Sequence, residues 1–242
     1  MQSFKGLRIL NTRPAGQNKQ LSQAIREAGG VPIECPALVI EPVEYDEFLQ
    51  LNDLSLIEKA VFISANAVTY FFDNLEAHHL NWPTSIQVFA IGSATAQTLA
   101  WRGVRVDEVP LLATSEGLLD LASMQQINQQ RVLLVKGEGG RDLLATTLEK
   151  RGAIVLPIAV YRRVLPIFQQ DNFQSLWRED AVDVIVLTSE EAMHNLFFLS
   201  GEEAHTWLRS KICIVKSERL ATVAAGFGFT SIVVNTTLNL NL

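Results

Sequence analysis

The feature that most constrains the fold is that the chain repeats itself at a spacing of about half its length. Shifting the sequence along itself places Arg8-Ile9-Leu10 over Arg131-Val132-Leu133 without a gap. The same or a nearly equal shift matches Gly16 with Gly139, Leu21 with Leu144, Gly29 with Gly152, and Val61-Phe62-Ile63-Ser64 with Val186-Leu187-Thr188-Ser189. Each copy is too large for a solenoid repeat and large enough for a small domain, so the duplication predicts two domains.

Within each copy, short β-branched runs alternate with stretches of helical spacing. Val132–Val135 is one such run; a glycine-rich turn follows it, and then leucines at helical spacing that end at Gly152. This alternation predicts parallel sheets covered by helices on both sides, the α/β class. The same patterns predict that Pro14 opens the first helix, that Val104–Val109 is a strand, and that a strand ends as Tyr161 is reached.

Composition and charge limit the classes of function that the chain can have. The chain has 242 residues, of which 48% are hydrophobic and 19% charged, as expected of a compact soluble protein. The net charge of −6 argues against a broad nucleic-acid surface. No apolar run is long enough to cross a bilayer and the N-terminus lacks a signal-peptide pattern, so a cytoplasmic protein without a membrane partner is expected. Cys35 and Cys213 lie in apolar runs and are interpreted as buried thiols.

Ligands of parallel α/β sheets bind at the carboxyl ends of the strands. The candidate binding residues at these ends are Thr12, Arg13, Ser64, Asn66, Ser93, Thr95, Lys136, Gly140, Arg141, Thr188, Ser189 and Ser217. Helix capping alone explains hydroxyls at helix starts, but their repetition in both copies favours a binding role. No metal site is predicted, because the neighbouring His78 and His79 cannot share one face of a helix.

The turn Gly137-Glu138-Gly139-Gly140 invites comparison with a dinucleotide-binding loop. That interpretation is disfavoured, because Asp142 stands where the third glycine should be and would face the pyrophosphate. With Lys136 and Arg141 on either side, the turn fits a carboxylate or phosphate site equally as well as a purely structural turn. From the residues alone, Tyr161 is a half-buried strand aromatic.

A set of ordered segments resembles the uroporphyrinogen-III synthase family. The segments are TRP (12–14), SANAV (64–68), AIGSATAQTL (90–99), KGEGGRDLL (136–144), RGAIVLPIAVYRR (151–163), LTSEEAM (187–193) and SERLATVA (217–224). Each is weak alone, but the set covers nearly the whole chain in the family's order. The last segment is most similar to the gamma-proteobacterial type.

The resemblance implies two flavodoxin-like or Rossmann-like domains joined by a two-stranded connector. Residues 1–36 and 166–242 would form a discontinuous domain, 43–158 an inserted domain, and 37–42 and 159–165 the linkers. The duplication alone would instead have suggested two consecutive halves. Under the family arrangement, Tyr161 would lie at the crossing between domains and face their cleft.

The resemblance also implies a hydro-lyase of tetrapyrrole (heme) biosynthesis. It would close the linear hydroxymethylbilane to uroporphyrinogen III, with inversion of the D ring, loss of water and no cofactor. Tyr161 matches the tyrosine proposed as the general acid, and a phenol stays protonated at neutral pH. Arg13, Lys136 and Arg141 would meet substrate carboxylates. Thr95 matches a cleft position.

The chain departs from the family pattern at Lys216, Ser217 and Arg219, where many members have glycine and a threonine pair. This puts the transfer of the second threonine role in doubt, and Arg219 could bind a carboxylate instead. A monomer is expected. Two alternatives are a non-enzymatic two-domain module that binds an anionic small molecule and a flavodoxin-like redox protein.

Overall fold

The computed structural model describes residues 4–43 and 54–236, and the chain divides into two compact units. Unit 1 comprises Met1–Ile40 and Val164–Leu242, and unit 2 comprises Glu41–Arg163. The two divisions, after residues 40 and 163, fall inside the segments 37–42 and 159–165 that the resemblance implies as linkers.

The strands are short, apart from the last strand of unit 2. In chain order they are β1 Arg8–Asn11, β2 Val31–Glu34, β3 Val39–Pro42, β4 Lys59–Phe62, β5 Gln87–Ala90, β6 Arg131–Gly137, β7 Ile154–Val164, β8 Val184–Leu187, β9 Ile212–Val215 and β10 Ser231–Val234. The helices are α1 Lys19–Glu27, α2 Ala65–Ala77, α3 Ser93–Trp101, α4 Ser115–Leu119, α5 Leu143–Lys150, α6 Gln170–Arg178, α7 Glu190–Ser200, α8 His205–Ser210 and α9 Glu218–Gly226.

Each unit is built on one sheet. The strand order is β10-β9-β8-β1-β2 in one sheet and β3-β7-β6-β4-β5 in the other. Pairing is parallel from β10 through β2 and from β7 through β5. All residues of β4 and of β8 are buried, as expected for strands covered on both faces. The predicted α/β class is confirmed.

The sheets show that the two copies of the duplication exchange their first strand–helix–strand segment. The segment β1-α1-β2 of the first copy pairs with β8 of the second copy. The segment β6-α5-β7 of the second copy pairs with β4 of the first. The units are therefore not the consecutive halves that the repetition alone suggests.

Equivalent contacts fix the exchanged strands in each sheet. The amide of Arg8 donates to the Asp183 carboxylate at 2.8 Å, and the amide of Arg131 donates to the Glu58 carboxylate at 3.0 Å. In each case the carboxylate comes directly before the partner strand, β8 or β4. The match supports the alignment of the two copies residue by residue.

Three local predictions are wrong in their boundaries. Helix α1 begins at Lys19 rather than at Pro14, because Gly16 adopts a left-handed backbone with φ +82° that interrupts a helix. Residues 104–109 form only an isolated bridge at Glu108, and the amide of Val88 is satisfied by the Asp107 carboxylate at 2.8 Å. Strand β7 continues to Val164, so Tyr161 and the two arginines that follow it lie within the strand and not, as was predicted from the sequence, after its end.

Candidate functional site

The carboxyl ends of β7, β6 and β4, which are neighbours in unit 2, bring together two predicted site residues and a third residue that the sequence did not single out. Tyr161 lies in β7 with 2% of its surface exposed. Its hydroxyl oxygen is 3.1 Å from Oγ of Ser64, the residue between β4 and α2. Nη2 of Arg163 donates to the same hydroxyl at 3.3 Å. The phenol oxygen therefore has a hydroxyl partner and a cationic partner.

The ring of Tyr161 is enclosed by unit 2. Tyr70 stacks on it with ring centroids 6.0 Å apart, and the guanidinium carbon of Arg163 lies 5.6 Å from the ring centroid. Gly137 approaches so closely that a Cβ at this position would lie 2.6 Å from Cζ of the tyrosine. Gly137 belongs to β6 and makes room for the phenol; it is not part of the turn to which the sequence assigned it.

The hydroxyls that follow strands do cap helices. Oγ of Ser64 accepts the amide of Ala67 at 3.0 Å and begins α2. In unit 1, Oγ of Ser189 accepts from Ala192 at 3.1 Å, and Ser217 caps α9 in the same way. Capping thus accounts for these three hydroxyls, and Ser64 in addition contacts a second candidate side chain, Tyr161.

The remaining polar candidates of unit 2 differ in exposure. Ser93 begins α3 and is exposed, whereas Thr95 lies two residues further along the helix and is buried. Asn66 is half-buried in the first turn of α2. These positions stay predictions for substrate contact.

The two cations that flank the glycine-rich turn are each paired with a carboxylate. Nζ of Lys136 lies 3.6 Å from the Asp142 carboxylate. Arg141 forms an ion pair with Glu116 of α4, with 2.8 Å between Nη1 and Oε1. Gly140 in the turn has a left-handed backbone with φ +86°. An anion that binds here has to compete with carboxylates already in place.

In unit 1, Thr12 follows β1 and is fully buried. Its hydroxyl donates to the carbonyl of Val186 in β8 at 2.9 Å, so the side chain fastens two neighbouring strands. Thr188, after β8, is half-buried and comes directly before the cap of α7. The Thr12 hydroxyl therefore stabilises the pairing of β1 with β8 and is not exposed at the edge of the sheet where a ligand would bind.

Three cations gather at the carboxyl ends of β1 and β9. Burial lowers the pKa of Lys216, and the positive charges of Arg13 and Arg219 lower it further. The pKa of Arg13 is itself lowered by burial. Nη1 of Arg219 is held by the Glu190 carboxylate at 2.8 Å. Mutual repulsion makes this arrangement unfavourable unless an anion neutralises it, so the cluster is suited to a carboxylate or phosphate.

Two surface cavities of unit 2 lie away from these groups. One, of about 200 Å³, is lined by Phe72, Leu80 and Arg102; the other, of about 220 Å³, is lined by Gln87 and Gly103 among others. Gln87 begins β5, so the second cavity is at the amino end of the sheet. Neither is lined by a candidate site residue from the sequence.

The described part of the chain contains neither a metal-binding group nor a membrane-spanning helix. Across 4–43 and 54–236, the His, Cys, Asp and Glu side chains form no group of three that could hold a metal ion. No helix in those ranges combines the length and hydropathy needed to cross a bilayer. Burial raises the pKa of Cys35 and of Cys213 to about 12, so both thiols stay protonated.

Sequence reasoning missed the contacts that organise the site. Arg163 was not singled out from the sequence, and Gly137 was assigned only to a turn. The signal for the first was present in the Tyr-Arg-Arg sequence, since residues two apart in a strand share a face. The signal for the second was a glycine at the end of a buried strand, which can mark close approach of another group.

These features define a class of protein: an α/β protein of two similar units, whose strand ends carry paired hydroxyls in one unit and clustered cations in the other. Clustered cations suit an anionic ligand, and paired hydroxyls suit proton transfer. Comparison with known proteins identifies the family.

The family model described as uroporphyrinogen-III synthase HemD matches residues 19–241. The uroporphyrinogen-III synthase of Proteus mirabilis is 37% identical over 182 residues, covering 73% of this chain and 90% of that protein. The synthase of Salmonella typhimurium is 33% identical over 231 residues, covering 93% of each. The chain belongs to the uroporphyrinogen-III synthase family, which confirms the resemblance seen in the sequence.

Solved structures agree on the fold. A mutant uroporphyrinogen III synthase from Thermus thermophilus superposes with a TM-score of 0.66 at 18% identity, over 97% of this chain and 95% of that one. The uroporphyrinogen-III synthetase from Helicobacter pylori gives a TM-score of 0.60 at 15% identity, over 97% and 96%. At these identities the likeness supports the two-unit architecture.

Proposed function

We propose that this protein catalyses the reaction of its family, the closure of hydroxymethylbilane to uroporphyrinogen III with inversion of ring D and loss of water. The match of the family model to residues 19–241 is the observation that carries the proposal. The protein would act in tetrapyrrole biosynthesis as a lyase. The geometry around Tyr161 supplies the chemical rationale.

The first chemical task is departure of the hydroxyl from the hydroxymethyl carbon. Hydroxide is a poor leaving group, so a proton must reach this oxygen as the carbon–oxygen bond breaks. The ring nitrogen lone pair then stabilises the carbocation as an azafulvene cation. Tyr161 is the proposed source of the proton, and Arg163 beside it can stabilise the phenolate that remains.

The second task is to hold the chain so that the substituted carbon of ring D attacks the cation. Unaided closure gives the symmetrical type I isomer, so the enzyme must impose the geometry that leads through a spiro intermediate. Positioning depends on the acetate and propionate side chains of the substrate. We assign carboxylate binding in unit 1 to the cluster of Arg13, Lys216 and Arg219, in which Arg219 is paired with Glu190.

Contact with substrate is also proposed for Ser93, Thr95, Asn66, Thr188, Ser189 and Ser217, on the basis of their positions after strands. The reaction should need no cofactor, because it moves protons and water but transfers no electrons. We further propose that the protein is a cytoplasmic monomer, in keeping with the metabolic step. Its net charge of −6 makes the local concentration of cations in unit 1 important for an anionic substrate.

The decisive experiment is incubation of the purified protein with hydroxymethylbilane, followed by oxidation and separation of the uroporphyrin isomers. The type III isomer should dominate, at a rate well above spontaneous closure. Type I alone, at the spontaneous rate, contradicts the proposal, and a stable complex without turnover would indicate a binding module. Tyr161→Phe should lower kcat more than it raises KM.

A further inference from the structure

The surroundings of Tyr161 raise the question of which group hands the proton to the substrate. Only 2% of this residue is exposed. Gly137 abuts the Cζ end of the ring, Tyr70 stacks on the ring, and the guanidinium of Arg163 lies over it. Ser64, whose Oγ is 3.1 Å from the phenol oxygen, is half-buried and so lies nearer the surface of unit 2.

The hydrogen bonds around the two hydroxyls favour one direction of proton flow. An arginine only donates, so the Tyr161 oxygen accepts from Arg163. Either hydroxyl can donate in the 3.1 Å contact between Tyr161 and Ser64, and we take the phenol as the donor and Oγ of Ser64 as the acceptor. Oγ of Ser64 also accepts the amide of Ala67. With both acceptor positions of Ser64 engaged, its proton is the one that can be given to a third group.

We propose that Ser64 is the catalytic acid that contacts the leaving hydroxyl, that Tyr161 resupplies its proton, and that Arg163 is a positioning residue for the phenol. The inference rests on the proposed function and refines it, because it moves the point of proton delivery from the phenol to the serine. The pKa of the neighbouring Tyr70 is raised by burial and by the charges of Asp73 and Glu41, so this second phenol stays neutral.

The step balances as follows. The carbon–oxygen bond of the hydroxymethyl group breaks while Oγ of Ser64 gives its proton to the departing oxygen, which leaves as water. The Tyr161 proton moves to Oγ, and the phenolate negative charge is balanced by the Arg163 guanidinium. When ring closure releases a proton from the reacting pyrrole, that proton returns to the phenolate, so the enzyme is restored and only water is lost.

A double-mutant cycle tests the relay. In S64A and in Y161F, kcat for formation of the type III isomer should fall about 100-fold each, the range of a lost general acid. Because both residues serve one proton path, the double variant should also fall about 100-fold, rather than the roughly 10,000-fold expected of independent groups. S64T keeps a hydroxyl and should recover most of the activity.

Ser64 also caps α2, so S64N serves as the control for folding. Asparagine is a good cap but its amide cannot pass on a proton in this way, so S64N should fold like the wild type and be as slow as S64A. R163M should lower kcat without changing KM, and R163K should recover part of the loss. We also expect the dependence of the wild-type rate on the deuterium fraction of the solvent to be that of more than one transferred proton. For Y161F it should be that of a single transferred proton.

Other outcomes would overturn the relay. Losses that multiply in the double variant, or S64N with wild-type kcat, would show that Ser64 and Tyr161 do not share a path. In either case a wild-type protein that still forms the type III isomer leaves the proposed function standing. A wild-type protein that yields type I alone removes both the function and the relay.

Discussion

Replacement of Gly137 by alanine tests whether the position of the Tyr161 phenol matters. The added Cβ would lie 2.6 Å from Cζ, 2.8 Å from Cε2 and 3.0 Å from Cε1 of the tyrosine ring. Carbon atoms in contact are about 3.5–4.0 Å apart, so the ring must move by roughly 1 Å. Gly137 itself is fixed in β6, which pairs with β4 and β7, so the phenol and not the backbone is expected to yield.

A movement of this size disrupts the hydrogen bonds of the phenol. They measure 3.1 Å to Ser64 and 3.3 Å to Arg163, and at about 1 Å more an interaction is no longer a hydrogen bond. Misplacement of a reacting group by about 1 Å costs on the order of 100-fold in rate. We therefore expect kcat of G137A to fall about 100-fold, with a loss of about 1–3 kcal/mol in unfolding free energy from overpacking.

The assay is the rate of type III isomer formation under saturating hydroxymethylbilane, with denaturant unfolding of the same samples. G226A is the matched control, because a Cβ at Gly226 meets no atom within 4 Å and the residue ends helix α9. It should keep wild-type kcat and unfold at the same or a slightly higher denaturant concentration. A G137A variant with wild-type kcat would refute the assignment of the reaction to this phenol.

Two further predictions concern charge. Arg8 lowers the pKa of Asp183 to about 2 through hydrogen bonds, so this carboxylate stabilises the fold above pH about 4 and the contribution is lost as pH falls toward 2. D183N should lower the unfolding free energy by about 1 kcal/mol at pH 7, because solvent screens the partly exposed pair, and by little at pH 2. The control E149Q removes a carboxylate at an exposed site. An equal loss of D183N at both pH values, or an equal loss in E149Q, would contradict the pairing. K216Q should raise KM about tenfold at low salt and less at high salt, with kcat unchanged. The control K211Q, at the amino end of β9, should leave KM unchanged. If the effect of K216Q on KM does not depend on salt, a carboxylate contact of Lys216 is excluded.

The fold could be predicted where the signal is local or repeated. The runs that become β4 and β8 are apolar throughout because both faces are buried, and the duplication fixed the order of strands and helices. The start of α1 was misplaced because a proline is a permissive helix signal, whereas the left-handed Gly16 decides the boundary. Strand β7 was cut short because its polar last residues pair with a neighbour strand that no local pattern reveals.

The site was predictable only in part, because its key contacts join residues far apart in the sequence. Ser64 and Tyr161 are 97 positions apart and meet through the pairing of their strands with β6. The sequence showed that hydroxyls follow strands, but not which of them serve only as caps. Thr12 illustrates the limit, since a hydroxyl at a strand end proved to be fully buried against Val186.

The duplication gives both units the same strand-end positions, and their chemistry has since diverged. The alignment of the copies matches Arg13 of unit 1 with Lys136 of unit 2, but Lys136 is paired with Asp142 whereas Arg13 lies near the additional cation Lys216. Unit 1 thus concentrates charge, and unit 2 neutralises its charge and keeps the hydroxyl pair that includes Ser64. If the first arrangement binds carboxylates and the second moves protons, charge-removing variants of unit 1 should change KM, and hydroxyl-removing variants of unit 2 should change kcat. Such a separation is expected if binding and chemistry were assigned to different units after the duplication.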